Sequence, residues 1–180
     1  MTGLWLPTLV SAVAVFLLSF VLHTLLPWHH GDYKTVPGEA QLMDAVRPLD
    51  IPPGDYIVPR PSGRAEMQSP EFAEKVRRGP VLVLTVLPSG QVSLARNLIW
   101  WFVYLLIVAA IAGHIAQRVG GGTGYLIFHT VALSAFLGYA AALWQMTVWY
   151  HRSWATTLRS TIDGAIYAVV TGLIFAWMWR

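Results

Sequence analysis

The chain contains no cysteine, and only 12% of its 180 residues are charged. The missing cysteine excludes disulfide bonds, thiolate catalysis and cysteine-ligated metals. A soluble domain of this length would carry about a quarter charged residues, whereas 56% of the residues here are hydrophobic. The mean hydropathy is +0.54. These values predict an integral membrane protein that lies in a lipid bilayer. Because the net charge is only +3 and no dense basic face occurs, we expect no nucleic-acid partner.

Motifs of the common enzyme classes are also lacking. The sequence has no nucleophile motif, no pair of catalytic carboxylates and no phosphate-binding loop. The glycine-rich run at 120–124 follows no strand and lacks Gly-Lys-Ser/Thr, so it indicates a turn between helices. We therefore expect that the protein is not an enzyme.

Four apolar stretches are long enough to cross the roughly 30 Å hydrocarbon core of a bilayer. They comprise residues 4–26, 98–116, 125–148 and 162–179. Tryptophan and tyrosine concentrate at their ends, as is typical of interfacial anchors. The predicted fold is an α-helical integral membrane protein with four transmembrane helices. The last three form a bundle over residues 97–180.

Residues 27–96 form the only long polar segment, and their pattern predicts a small extramembrane α+β module. The expected elements are helices at 36–47 and 69–78, a short strand that Gly54 opens and that runs through 56–58, and a hairpin that pairs 81–87 with 91–95. The second helix has the clearest start, because Ser69 is a good N-cap and Pro70 suits the first helical position. A module of this size buries little core by itself.

The distribution of basic residues predicts the orientation in a bacterial inner membrane. Four of them lie close to the ends of the apolar stretches on one side: Lys34, Arg96, Arg152 and Arg159. The other side carries only Arg118 and Arg180. By the positive-inside rule, the 27–96 segment faces the cytoplasm and both termini lie outside.

Small residues recur at every fourth position in the last two apolar stretches, so in each stretch they share one helix face. In lipid, such faces let two helix backbones approach closely. We expect the two faces to pack against each other. The first comprises Gly164, Ala168, Gly172 and Ala176, and the second comprises Thr130, Ser134, Gly138 and Ala142.

Asp163 is the one acidic residue in the apolar stretches. An acid in a membrane-spanning helix is a candidate proton or cation site. The alternative is structural, because Ser160 and Asp163 have the spacing of a capping box at the start of the fourth helix. Arg159 is close enough in sequence to pair with the carboxylate. We expect the capping role.

The histidines suggest two places where a metal or tetrapyrrole could bind. His114 and His129 lie on neighbouring antiparallel helices near the same short loop, and His29 and His30 precede Asp32. Ala110 stands four residues before His114, which is similar to the Ala-x-x-x-His arrangement of bacteriochlorophyll-binding antenna helices. We expect no tightly bound cofactor, and a metal or tetrapyrrole held by histidine is the alternative.

Three short motifs carry a resemblance to known sequences: Pro-Trp-His-His-Gly-Asp-Tyr at 27–33, Ile-Pro-Pro-Gly-Asp-Tyr at 51–56 and Ile-Asp-Gly-Ala-Ile-Tyr at 162–167. With these motifs, the whole chain resembles a family of small bacterial four-span membrane proteins to which no activity is assigned. The resemblance implies the four-span architecture and no catalytic residues.

The absence of catalytic motifs and the small-residue helix faces favour one function over the others. We expect a non-catalytic accessory or assembly subunit of a larger membrane complex, such as a respiratory or photosynthetic energy-converting one. Other membrane subunits are then the expected partners. The alternatives are a small oligomeric transporter or channel, and a membrane protein that binds a cofactor or pigment through histidine.

Overall fold

The computed structural model describes residues 3–90, 93–120 and 122–179. The chain is 71% helical and forms two units. The first unit contains residues 1–34 and 93–180, and the second contains residues 35–92.

Within the described residues, the first unit contains four helices long and apolar enough to cross a membrane, which confirms the predicted helical class. They are α1 (Trp5–Leu25), α5 (Leu94–Arg118), α6 (Gly124–Tyr150) and α7 (Trp154–Met178). Two of them contain a π-helical turn, at Val21–Leu25 in α1 and at Leu137–Ala141 in α6.

The ends of α1, α5 and α6 follow from local chemistry. Pro27 holds the preceding residue, Leu26, in an extended conformation, and α1 ends there. Ser93 and Thr123 cap α5 and α6 through their hydroxyl groups. The predicted glycine turn between these helices includes Gly121, which lies outside the described residues.

Two helices begin earlier than predicted. The second apolar helix starts at Leu94 instead of residue 98, and the fourth starts at Trp154 instead of residue 162. The prediction assigned Leu94 and Ala95 to the returning strand of the hairpin and residues 151–159 to a short basic loop. In α7 these residues bond within the bundle: Thr157 pairs with Thr147 of α6, and the Thr161 hydroxyl donates to the Thr157 carbonyl at 2.8 Å.

The second unit contains three short helices and a two-stranded sheet among its described residues. The helices are α2 (Glu39–Val46), α3 (Arg64–Met67) and α4 (Pro70–Arg78), and the strands are β1 (Gly54–Val58) and β2 (Leu82–Val86). The strands are antiparallel, with Tyr56 opposite Leu84.

The predicted hairpin between 81–87 and 91–95 is wrong. β2 pairs with β1, which lies earlier in the chain. Gln91 and Val92 lie outside the described residues, while Leu94 and Ala95 belong to α5. The hydroxyl of Ser93 caps that helix, so the returning segment starts a helix instead of a strand.

Glycines of α7 lie directly on the backbone of α6. A Cβ atom on Gly172 would stand 2.9 Å from the Phe128 carbonyl oxygen and 2.9 Å from the Ala132 Cβ. A Cβ atom on Gly164 would stand 2.8 Å from the Cβ of Ala140. A larger side chain at either position would force α6 and α7 apart.

The predicted partner face on α6 is wrong. Gly138 faces Val108 of α5, and Ala142 is exposed. The other two predicted members, Thr130 and Ser134, are only partly buried. Before the π turn, the residues of α6 that meet Gly172 of α7 are Phe128 and Ala132, so Thr130 and Ser134 were assigned to the wrong face. The π turn at Leu137–Ala141 then rotates the positions beyond it, which a fixed spacing of four residues does not take into account.

Candidate metal centre

The end of α1 places two histidines in contact. His23 lies in the π turn of α1, and His29 lies in the short 3₁₀ turn Pro27–His29 that follows. Their rings are stacked, with centroids 4.1 Å apart and planes inclined by 10°. The proline that ends α1 therefore also turns the chain so that His29 lies against His23.

Asp32 orients His29. The Nδ1 atom of His29 lies 2.7 Å from Oδ2 of Asp32, and Arg159 of α7 contacts the other carboxylate oxygen. Burial raises the pKa of the Asp32 carboxyl. The hydrogen bond from His29 and the nearby guanidinium outweigh this effect, so the pKa of Asp32 lies below its ordinary value.

Asp163 of α7 completes the cluster from the opposite side. Its side chain is only 3% exposed, and its Oδ2 atom lies 2.8 Å from Nε2 of His29. At this distance the two groups can form an ion pair, but neither atom has a partner with hydrogen-bond geometry among the described residues. The other oxygen of Asp163 is also buried without a hydrogen bond. Buried polar atoms of this kind require an explanation.

The hydrogen-bond partners of the rings indicate where their protons lie. The Nδ1 atom of His23 lies 3.1 Å from the Ser19 carbonyl oxygen, which can only accept, so Nδ1 carries a proton and donates it. An ionised Asp32 likewise accepts from Nδ1 of His29. In the neutral rings, both Nε2 atoms therefore carry lone pairs. The lone pair of His29 then faces the Asp163 carboxylate, and either a proton between the two atoms or a bound cation would relieve this contact.

The spacing of these atoms suits a metal ion. One nitrogen of His23, one nitrogen of His29 and one oxygen of Asp163 lie within 4.8 Å of one another. Two ligands about 2.1 Å from an ion would be about 3.0 Å apart at right angles and about 3.4 Å apart in a tetrahedron, so the 2.8 Å between His29 and Asp163 is nearer to the right-angle spacing. Asp32 accepts a hydrogen bond from the Nδ1 atom of His29, as carboxylates commonly do from metal-ligating histidines in other proteins.

A cavity of about 650 Å³ adjoins the cluster within the first unit. His23, Asp163, Ser160 and Tyr167 contribute polar groups to its lining. Most of the remaining lining is apolar and comes from α1, α5 and α6. A ligand bound at the candidate metal centre would therefore lie next to a mainly apolar cavity.

The capping prediction for Ser160 and Asp163 is wrong. The helix begins at Trp154, so both residues lie well inside it, where the backbone amides already have helical partners. Arg159 pairs with Asp32 instead of with Asp163. Ser160 lines the cavity, and Asp163 is the buried carboxylate of the cluster.

The other predicted histidines lie outside the cluster. His30 is exposed beside it. His114 contacts Arg118, and His129 contacts the Tyr125 carbonyl, so each has a partner on its own helix. No hydrogen bond joins His114 to His129 in the described part of the chain.

His23 is the candidate ligand that sequence reasoning missed, because a single histidine at the end of an apolar run resembles an interfacial anchor. The available signal was that His23 and Asp163 are ionisable residues in long apolar stretches, which are functional candidates by default. No protein-family model, curated protein or solved structure matches the chain.

Proposed function

We propose that this protein is a membrane metalloprotein that binds one divalent transition-metal ion through His23, His29 and Asp163. The observation that supports the proposal is the buried contact between His29 Nε2 and the Asp163 carboxylate, which lie 2.8 Å apart without a hydrogen-bond partner among the described residues. A divalent cation bound to both would satisfy them. A single protonated histidine is the competing explanation, and metal analysis separates the two.

The donor set narrows the choice of ion. Imidazole nitrogen and carboxylate oxygen together suit zinc, iron and other first-row transition metals better than calcium or magnesium, which prefer oxygen ligands. Three protein ligands leave further coordination positions open, as in catalytic centres and unlike closed structural zinc sites. The proposed centre therefore has room for an exogenous ligand on the ion.

This proposal favours the histidine-based alternative over the accessory subunit and the transporter. Both of those functions stay predictions, as does the expectation that the chain is not an enzyme. A metal centre is compatible with membership of a larger membrane complex, because a subunit of such a complex can carry a cofactor.

The test measures the metal content of the purified full chain. The protein is stripped with a chelator, exposed separately to Zn²⁺, Mn²⁺ and, without oxygen, Fe²⁺, and freed of unbound metal by gel filtration. We expect about one ion per chain for at least one metal. Asp163→Asn and His29→Gln should lose it, while Asp32→Asn should weaken it by about 10- to 100-fold, since it removes the group that orients His29.

His30→Gln is the matched control, because it removes a neighbouring histidine that is exposed and outside the cluster. It should keep the stoichiometry of the parent. If the parent binds none of the three metals, or if Asp163→Asn binds as much as His30→Gln, the proposal is wrong and the protonated ion pair is the better explanation.

We also propose that the chain lies in a bacterial inner membrane with the metal centre at the cytoplasmic side and both termini outside. The support is the number of basic residues near the helix ends on the side of the 27–96 segment. The chain has no cysteine, so Ser89→Cys in an exposed loop gives a single label site. This cysteine should react with an impermeant thiol reagent only after cell lysis. Labelling in intact cells would show that the orientation is the opposite of the one proposed.

A further inference from the structure

The cavity beside the candidate metal centre opens on the apolar surface of the bundle. Leu17 and Phe20 of α1 and Leu94 and Leu98 of α5 line it and are also among the exposed hydrophobic residues. On helices of membrane length, such side chains face hydrocarbon. A molecule that enters between these side chains comes from the lipid, while the exposed His23 and Thr24 form the polar end of the cavity.

The inner wall of the cavity is aromatic. Trp101, Tyr139 and Tyr167 line it together. The ring of Tyr167 makes edge contacts with Tyr139 at 5.8 Å and with Trp101 at 6.2 Å between centroids. The indole nitrogen of Trp101 donates to the Ser19 hydroxyl at 3.0 Å, which fixes the orientation of this ring. Fixed aromatic faces suit a flat ring better than a flexible acyl chain.

Tyr167 supplies a hydrogen-bond donor at the polar end. Its hydroxyl lies 3.5 Å from Nδ1 of His23, the longest contact that still counts as a hydrogen bond. Because that nitrogen donates to the Ser19 carbonyl, it cannot accept the tyrosine proton. Tyr167 is only 3% exposed. The hydroxyl of Tyr139, in the same cavity wall, is buried without any hydrogen-bond partner among the described residues, so neither tyrosine proton has a well-placed acceptor. A ligand with a carbonyl oxygen would provide one.

We propose that this cavity binds the head group of an isoprenoid quinone. One quinone carbonyl accepts the proton of Tyr167, the ring lies among the aromatic side chains, and the isoprenoid tail leaves between α1 and α5 into the bilayer. An acyl chain alone would leave the tyrosine proton unpaired and would make no use of the aromatic wall. The inference does not require the metal ion, although His23 and Asp163 contribute to both sites.

The test titrates decyl-ubiquinone into the purified full chain after chelator treatment and follows the quenching of tryptophan fluorescence, since Trp101 lies in the cavity wall. We expect saturable quenching. Tyr167→Phe should weaken binding about three- to tenfold, the range for one lost hydrogen bond. Leu98→Trp, which fills the entrance, should weaken it more than tenfold. Tyr125→Phe, at an exposed tyrosine outside the cavity, is the control and should bind like the parent.

The outcomes separate this inference from the metal proposal. Saturable binding by the chelator-treated protein supports the quinone site even if no metal binds, and unchanged metal content in Tyr167→Phe keeps the two sites distinct. Absence of saturable quenching would overturn the inference, as would equal affinity in Tyr167→Phe and Tyr125→Phe. Displacement of the quinone by an equal concentration of a short-chain phospholipid would also overturn it and assign the cavity to lipid acyl chains.

Discussion

The two units of this protein contain the same kinds of secondary structure and helix caps but differ in how many side chains they bury. In the helical unit, large side chains such as Phe175, Leu105 and Ile127 are almost fully buried. In the 35–92 unit, none of the described residues is buried, although the strands pair in register and α4 has its cap. Secondary structure alone therefore does not make a core. The two units differ in how many apolar side chains each one buries against its own elements.

The exposed apolar residues of the two units also have different meanings. Leu173 of α7 is 55% exposed, and on a membrane-length helix this is a surface for lipid. Val83 of β2 is 48% exposed in a unit with no membrane-length helix among its described residues. The helical unit has a buried interior that contains Asp163, whereas none of the described residues of the smaller unit is buried.

Expression of residues 35–92 alone tests whether the smaller unit folds without the helices. We expect the fragment to be largely unfolded, because a chain of this size with no buried residue among those described does not offset the entropy of folding. Circular dichroism should show little ordered structure and no cooperative thermal transition, while the full chain in detergent remains helical. A sharp melting transition of the fragment would mean that the unit is stable by itself.

The next largest effect should come from the helical unit. Gly172→Leu places a side chain where even a Cβ atom would stand 2.9 Å from the Phe128 carbonyl oxygen. Because backbone must move, we expect the free energy of unfolding to fall by on the order of 1–3 kcal/mol. The melting temperature of the variant and of the parent in detergent measures this loss of stability.

Leu173→Ala is the matched control, because this neighbouring residue is exposed. It should leave the melting temperature close to that of the parent. If Gly172→Leu is as heat-resistant as Leu173→Ala, α6 and α7 do not depend on close packing at this glycine.

The sequence was informative where one stretch of residues determines the structure. Long apolar runs predicted the four helices, and Ser69 with Pro70 predicted the start of α4. The start of α7 was missed, since polar residues before an apolar run are equally compatible with a loop or with a helix that continues beyond the hydrocarbon. The π turn in α6 was also missed, because nothing in the spacing of small residues indicates an extra residue in the helix.

The candidate site depended on contacts between distant parts of the chain. The His29 motif and the unusual Asp163 were each recognised from the sequence, but as separate features. Their contact requires α7 to pack beside the end of α1, and the added ligand, His23, comes from a π turn that has no sequence signature here. Pairing Arg159 with its sequence neighbour was wrong for the same reason, since Asp32 approaches it from another part of the fold.

The smallest effect that we predict concerns one helix cap within the 35–92 unit. The Ser69 hydroxyl accepts a hydrogen bond from the Phe72 amide at 3.1 Å and caps α4. Ser69→Ala should cost about 1 kcal/mol of local stability, which corresponds to roughly fivefold faster amide hydrogen exchange in this helix. Exchange in α7 should stay unchanged, because its buried core does not depend on this cap. Unchanged exchange across Pro70–Arg78 would show that contacts other than the cap hold α4, and that the unit is more stable than its exposed residues indicate.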